Sequence, residues 1–384
     1  MKLLKDIKVI DLGRFITAPL AAQLLGELGA DVIKVESPRA IDPFRGNKGH
    51  FQSANRNKRS VVLDFATNEG KQALYTLIEK ADVILLNMRP RAVAKLGLSY
   101  EQLIELNPKL VHCSITGFGA DGPYADRPAF DNVAQALSGW LSMFHQGKDP
   151  RVSGPPVSDM LGGVFACIGV LGALVERATS GKGRKVEVSM LASMISFATE
   201  PLSQLSANGV PPPFFSRASF SQSYVVTCKD GRRIGLHMSS PEKFWKSLAA
   251  AIGRDDLFER NSAYDQRVQN YEVLAQELAA TFMTRPRDEW LPLLEKHDVP
   301  AAPERRLDEL QDDPQVKHLD IFYQMIDPTG GAITAAKRAI RYDGSNDSGF
   351  LPPPTFGEHS DEILGQAGFT AAQIAKFREA GIVR

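Results

Sequence analysis

The chain has 384 residues, 43% hydrophobic and 23% charged, enough for two large cores and unlike a disordered chain. Its 45 Lys and Arg balance 45 Asp and Glu, a net charge of zero that argues against a general nucleic-acid binder. Cys113, Cys167 and Cys228 stand far apart in apolar contexts, which fits buried thiols better than disulfides, and the seven histidines show no metal spacing.

At the start, MKLLKDIKVIDLG places Lys5, Asp6 and Lys8 where a signal peptide needs an apolar stretch. No apolar run reaches the ~18 residues of a membrane span. A cytoplasmic protein, away from the membrane, is the expectation. Next come KVIDL (8–12), a strand; APLAAQLLGELGA (18–30), a helix ending at Gly29; and DVIKVE (31–36), a second strand. SVVLDF (60–65) is a third strand, 68–81 a helix, DVILLN (82–87) a fourth strand and KLVHCSIT (109–116) a fifth. Short apolar strands alternating with helices predict an α/β fold, a parallel Rossmann-like sheet with helices on both faces. Such sheets bind ligands beyond the carboxyl ends of their strands, which selects Phe15–Thr17, Leu63–Ala66 and Asn87–Arg89. Residues 1–100 hold 16 Lys and Arg against 10 Asp and Glu, and 39–59 hold six bases and one acid. That stretch is either a solvated loop or a site for a compact anion such as a phosphorylated cofactor.

GFGADG (117–122) matches a dinucleotide-binding glycine pattern, but PYADRP follows where a helix would have to begin, so it reads as a loop. Neither a P-loop nor a hydrolase elbow occurs. Two long helices are expected at 159–178 and 191–207, split by a turn at 181–184 and the strand KVEVSM (185–190). Asp159 stands in SGPPVSDMLGG, where a carboxylate before an apolar run reads locally as a helix cap. After PPPFF (211–215), SYVVTC and RRIGLHM are joined by KDG, a hairpin signal, and helices cover about 241–312. The expected division is a large α/β domain of 1–205 and 330–384, a small α+β domain of 220–325, and linkers at 206–219 and 326–355. A proline-rich extended segment and two helices close the chain.

Eight segments, in order, carry a resemblance: VIDLGRFITAPLAAQLLGELGADVIKVE (9–36), NRNKRSVVLDF (55–65), ADVILLNMRPRAVAKLGL (81–98), SITGFGADGPYADRP (114–128), FDNVAQALSG (130–139), SDMLGG (158–163), SGKGRKVEVSM (180–190) and FGEHSDEIL (356–364). Together they are similar to the family III CoA-transferases, which include formyl-CoA transferase and carnitine CoA-transferase. The resemblance implies coenzyme A and acyl-CoA as substrates, no metal, and a carboxylic acid acceptor. Asp159 matches the family's nucleophile, which passes through an acyl–aspartyl anhydride and an aspartyl-CoA thioester. A helix N-terminus would keep that carboxylate ionised, with local backbone N–H groups for developing oxyanions. Gly162 and Gly163 either leave room for the thioester or let helices pack closely.

The CoA pocket carried over by the resemblance comprises Ile16, Thr17, Leu63, Asp64, Asn87, Met88, Arg89, Lys95 and Arg127 through Phe130, with Lys58 and Arg59 as further charges. Formyl-CoA transferase has Arg where this chain has Lys95, so a bidentate phosphate contact becomes a point charge. It also has Gln where this chain has Ile16 and a glycine-rich active-site loop with no match in this sequence, which argues against formyl-CoA and oxalate. The related α-methylacyl-CoA racemase needs a histidine where this chain has Phe130, so transfer outranks racemisation. A non-catalytic CoA-binding protein is the third reading. The resemblance also implies an interlocked homodimer, with no nucleic-acid partner.

Overall fold

The apolar strands meet the requirement of a sheet covered on both faces. In the computed structural model, which describes residues 2–144, 150–346 and 349–384, six strands form one parallel sheet. His145 and part of the expected 326–355 linker lie outside the described residues. The strands are β1 (Lys8–Asp11), β2 (Asp31–Glu36), β3 (Arg59–Val62), β4 (Val83–Leu86), β5 (Val111–Thr116) and β6 (Lys185–Ser189). Their order is β3-β2-β1-β4-β5-β6, so the chain reverses direction across the sheet between β1 and β4. The helices around the sheet are α1 (Thr17–Glu27), α2 (Lys48–Ala54), α3 (Asn68–Glu79), α4 (Pro90–Leu96), α5 (Tyr100–Leu106), α6 (Asp131–Leu137), α7 (Val157–Ser180) and α8 (Met190–Phe197), joined near the C-terminus by Ser360–Ala367 and Ala371–Glu379, the two helices expected to close the chain.

Alternate strand residues face opposite layers. Val9, Val32, Val83, Leu85 and Val111 pack with Ala18, Ala21 and Leu25 of α1 and Ala166 and Val170 of α7. Ile10, Ile33, Val61 and Ile84 pack on the other face with Leu74, Leu77 and Ile78 of α3 and with Ile363 and Leu364. The third strand ends at Val62, short of the expected 65, because the chain's own C-terminus takes over its partners. Leu63 bridges Val383, and the Asp64 amide donates to the Ile382 carbonyl at 2.8 Å.

The helix expected over 191–207 is two helices, α8 and Thr199–Asn208, meeting at Ala198. Pro201 lacks the N–H that would bond to residue 197, which stops the first helix from running on. Residues partly assigned to a linker form an antiparallel ribbon of Phe322–Ile326 and Ala332–Ala336, turned by Gly330 and Gly331 at φ 96° and 100°. After β5 no helix starts until Asp131, so GFGADG lies in a loop. The three cysteines are free and buried.

Helix α7 corrects one expectation. It is 24 residues long and, by length and composition, apolar enough over 18 of them to cross a membrane. It packs one face against α1 and the sheet.

The chain divides into two units, 1–199 with 320–384, and 200–319. In the second, Ser223–Thr227, Arg233–His237 and Ala301–Pro303 form an antiparallel sheet, the first two as the expected hairpin. Trp245, Phe282 and Trp290 fill its core.

Candidate active site at the sheet switch point

Ligand crevices in doubly wound sheets open where the strand order reverses. Here that point lies between the loops following β1 and β4. Asn87, just past β4, joins them: its Oδ1 accepts from the Arg14 amide at 3.0 Å, and its Nδ2 donates to the Arg14 carbonyl at 2.6 Å and to Thr17 Oγ1 at 3.0 Å. Thr17 opens α1 and is buried, and Ile16 precedes it, half-buried. Met88 packs against the core beneath, while Arg89 is exposed and donates to the Asp126 carbonyl at 3.3 Å. Arg91 pairs with the Asp126 carboxylate, so α4 is tied to the loop before α6.

That loop bears Arg127, whose guanidinium lies 3.9 Å from the Tyr124 ring centroid. An open cleft of about 510 Å³ lies between Phe118, Tyr124, Arg127 and Pro128 on the loop and Val133 and Leu137 on α6. Phe130 is 62% exposed and meets Phe15 edge-on at 5.7 Å, while Phe15 meets Phe44 at 5.5 Å.

Asp159 is not the cap of its helix. Helix α7 begins at Val157, and Asp159 is its third residue. The first amides are satisfied from another helix: Asp131 Oδ1 accepts from the Ser158 amide at 2.9 Å, the Ser158 hydroxyl at 3.0 Å and, more weakly, the Asp159 amide at 3.4 Å. Those two N–H groups are therefore engaged, not free to hold an oxyanion as expected. Nor does the helix N-terminus keep Asp159 strongly ionised. Burial, and then the Asp131 charge beside it, push its carboxyl up to about 7.

The two glycines divide their roles. A Cβ on Gly163 would stand 2.9 Å from both Leu20 Cδ2 and the Thr17 carbonyl, so Gly163 permits the close approach of α7 to α1. At Gly162 the nearest atom would be Thr17 Cγ2, at 3.5 Å, an ordinary contact. Asp159, Gly162, Thr17 and Asn87 thus form one neighbourhood at the switch point.

Two predicted groups stand apart. Leu63 is fully buried and Asp64 nearly so, two strands from β1 at the sheet edge, where Asp64 pairs with Arg39 at 2.7 Å. Lys95 is exposed in the last turn of α4 and closes no ion pair among the described residues.

The basic stretch 39–59 is not a free anion site. Arg45 pairs with Glu36, Arg56 with Glu27, Arg59 with Asp31, and Arg39 with Asp64. Lys58 is fully buried, 2.7 Å from Asp11, so it and Arg59 are structural rather than phosphate partners. Burial works against the Asp11 carboxylate, but the Lys58 and Lys34 ammoniums outweigh it and hold its pKa below the ordinary value. The acids that neutralise this segment lie mostly outside it, which composition over a window cannot reveal.

Sequence reasoning selected Phe15 by the strand-end rule but missed Asp131, Arg14 and Phe44 as members of this neighbourhood. Asp131 was visible as the acid opening FDNVAQALSG; its reach to residues 158 and 159 was not.

The fold and the crevice define a doubly wound α/β protein with a ligand crevice at its switch point, and comparison with known proteins gives its class. The profile described as CoA-transferase family III matches residues 4–360, so the chain belongs to that family and is a CoA-transferring enzyme acting on acyl-CoA thioesters. It is 29% identical to (R)-2-hydroxy-4-methylpentanoate CoA-transferase of Clostridioides difficile, covering 100% of both chains. It is 32% identical to succinyl-CoA:mesaconate CoA-transferase of Haloarcula hispanica, over 96% of this chain and 97% of that one. A CAIB/BAIF family protein from Brucella suis has a similar structure, with TM-score 0.83 and 29% identity, covering 95% of this chain and 99% of that one.

Proposed function

We propose that the enzyme moves CoA from an acyl-CoA donor to a carboxylic acid acceptor with Asp159 as nucleophile. The Asp159 carboxylate attacks the thioester carbonyl, the C–S bond breaks, and CoA thiolate leaves an acyl–aspartyl anhydride. Thiolate then attacks the aspartyl carbonyl, releasing the donor acid and forming an aspartyl-CoA thioester. The acceptor carboxylate displaces thiolate to give a second anhydride. Thiolate attack on the acceptor carbonyl releases the new acyl-CoA and restores Asp159. Each step exchanges one acyl bond for another, so no oxidant and no net proton is required.

The observation that carries this reading is the position of Asp159: half-buried in the first turn of α7, beside the switch-point crevice and next to a second carboxylate. A carboxylate whose charge is poorly solvated is a stronger base than an exposed one and a better attacking group. We assign CoA to Ile16, Thr17, Asn87, Met88 and Arg89 at the switch point and to Arg127 through Phe130 beside the cleft. Leu63, Asp64 and Lys95 complete the contacts in this reading, with Leu63 restricted to its backbone because its side chain lies in the core. Phe130 offers no proton-carrying group, which weighs against the racemase alternative.

The reading extends to a homodimer in the cytoplasm, with interlocked chains. Support for a partner copy comes from the outer face of α7, where Met160, Val164 and Ile168 recur every fourth residue and stay exposed.

The test is chemical trapping. With an active donor, hydroxylamine or borohydride added during turnover modifies Asp159, and mass spectrometry locates the adduct. Asp159→Ala removes transfer and leaves CoA binding largely intact. If an active donor gives no adduct on Asp159, the nucleophile is wrong.

A further inference from the structure

The loop between β1 and α1 is held more firmly than a connection needs. Lys34 Nζ donates to the Gly13 carbonyl at 2.9 Å, Asp11 Oδ1 accepts the Gly13 amide at 2.8 Å, and Asp42 Oδ1 accepts the Phe15 amide at 3.3 Å. Asn87 clamps both the amide and the carbonyl of Arg14. Within this frame Phe15 adopts φ 64°, a left-handed conformation that a bulky side chain avoids. Strain of this kind persists only where the surroundings over-determine it, and it gathers at functional sites.

All those bonds at position 14 are made by the backbone. The Arg14 guanidinium has no hydrogen bond or ion pair among the described residues, although its Nε is buried. Its carbon lies 5.7 Å from the Phe15 ring centroid. Arg39, Arg45, Arg56 and Arg59 each close an ion pair, so acids are available in this region and Arg14 is not given one. A buried donor that is always charged and has no partner is a costly arrangement unless a ligand supplies the acceptor.

We propose that Arg14 binds a second carboxylate, carried at the far end of the substrate's acyl chain, so that the enzyme acts on dicarboxylic acids and their CoA half-thioesters. The proposal rests on the reading of Asp159 as the acyl acceptor. Arg14 shares Asn87 with Thr17, and Thr17 faces Gly162, three residues beyond Asp159. The guanidinium itself stands over the Phe15 ring, which meets Phe130, and Phe130 precedes the Asp131 that bonds the Ser158 and Asp159 amides; the free guanidinium and an acyl group on Asp159 thus border the same aromatic-lined crevice. The rings of Phe15 and Phe130 face the methylenes of a short chain and lower the local dielectric, which strengthens a guanidinium–carboxylate contact at the chain's end. The phosphates of CoA have other cations, Arg89, Arg127 and Lys95, all exposed. A monocarboxylic acyl chain would leave Arg14 Nε unpaired.

The test is equilibrium binding, which does not depend on turnover. Succinyl-CoA and glutaryl-CoA are compared with butyryl-CoA, valeryl-CoA and free CoA on Asp159→Ala protein. The same set is then measured with Arg14→Gln and Arg14→Lys added, and with circular-dichroism melts to verify folding. The expected result is tighter binding of the dicarboxylic thioesters by about 10- to 100-fold, lost in Arg14→Gln and partly kept in Arg14→Lys. Free CoA and the monocarboxylic thioesters keep their affinity. Equal weakening of all five ligands would assign Arg14 to the CoA phosphates and overturn the proposal. So would unchanged binding throughout, or parent protein that does not prefer the dicarboxylic thioesters. An absent Asp159 adduct with this preference intact would remove the nucleophile reading and leave Arg14 as a carboxylate site.

Discussion

Asp159 and Asp131 are two carboxylates with different tasks, separated by environment. Asp131 accepts from the Ser158 amide and hydroxyl and from Gln135 Nε2, so its charge is well satisfied. Asp159 has no such donors among the described residues, and burial and the neighbouring charge raise its pKa to about 7. The nucleophile must be ionised, so kcat/KM rises with pH along an acid limb near pH 7 and levels above it. Asp131→Asn removes the like charge while its amide oxygen still accepts from Ser158. Asp159 then ionises more readily, and the limb shifts to lower pH. A pH–rate profile of the two proteins checks this; an unmoved limb would mean that Asp131 does not tune Asp159. Asp131→Ala also strips α7 of its cap and costs about 0.5–2 kcal/mol of stability.

Helix α7 reconciles two demands on one sequence. It must lie close enough to α1 to hold Asp159 beside Thr17, and it must cover half of a sheet face. Gly163 answers the first, since its missing side chain is where Leu20 and the Thr17 carbonyl stand. Gly163→Ala is expected to destabilise the protein by about 1–3 kcal/mol in urea unfolding, because neither backbone can retreat without opening the interface. Gly365→Ala, in the helix Ser360–Ala367 on the other side of the sheet from α7, is the control. An added methyl there meets nothing within 4 Å, and the exchange is expected to stabilise by about 0.5–1 kcal/mol. Equal effects at both positions would remove the close-approach argument.

On the scale of the whole molecule, the outer face of α7 leaves a row of apolar side chains exposed. Met160, Val164, Ile168 and Val175 are exposed, with Val133 and Leu137 of α6 and Ile195 and Phe197 of α8 adding to the exposed apolar side chains of this unit. A covering partner copy predicts a dimer by sedimentation in dilute buffer and a shift toward monomer in Ile168→Glu, where a buried charge would have no partner. A stable monomer of the parent protein would overturn the homodimer.

The sheet, the alternation of strands and helices, and the choice of strand ends near 15–17 and 87–89 were legible because they follow from local periodicity. Strand residues repeat every second position and helix starts carry short-range signals, so a window of ten residues holds the information. The family was legible because eight motifs keep their order. What the sequence could not reveal is which charges neutralise one another. Lys58 belongs to Asp11, 47 residues away, and the cap of α7 comes from Asp131, 27 residues before Ser158. Those pairings depend on the strand order, which brings β3 and β1 to either side of β2 and sets the loops after β1 and β4 side by side. Electrostatic energy depends on distance in space and on solvent exclusion, and neither is a property of a linear string. Tertiary structure therefore decided that most of the basic stretch is spent on internal ion pairs, that Asp159 is a buried carboxylate with a raised pKa rather than a cap, and that Arg14 has a guanidinium without a polar partner among the described residues.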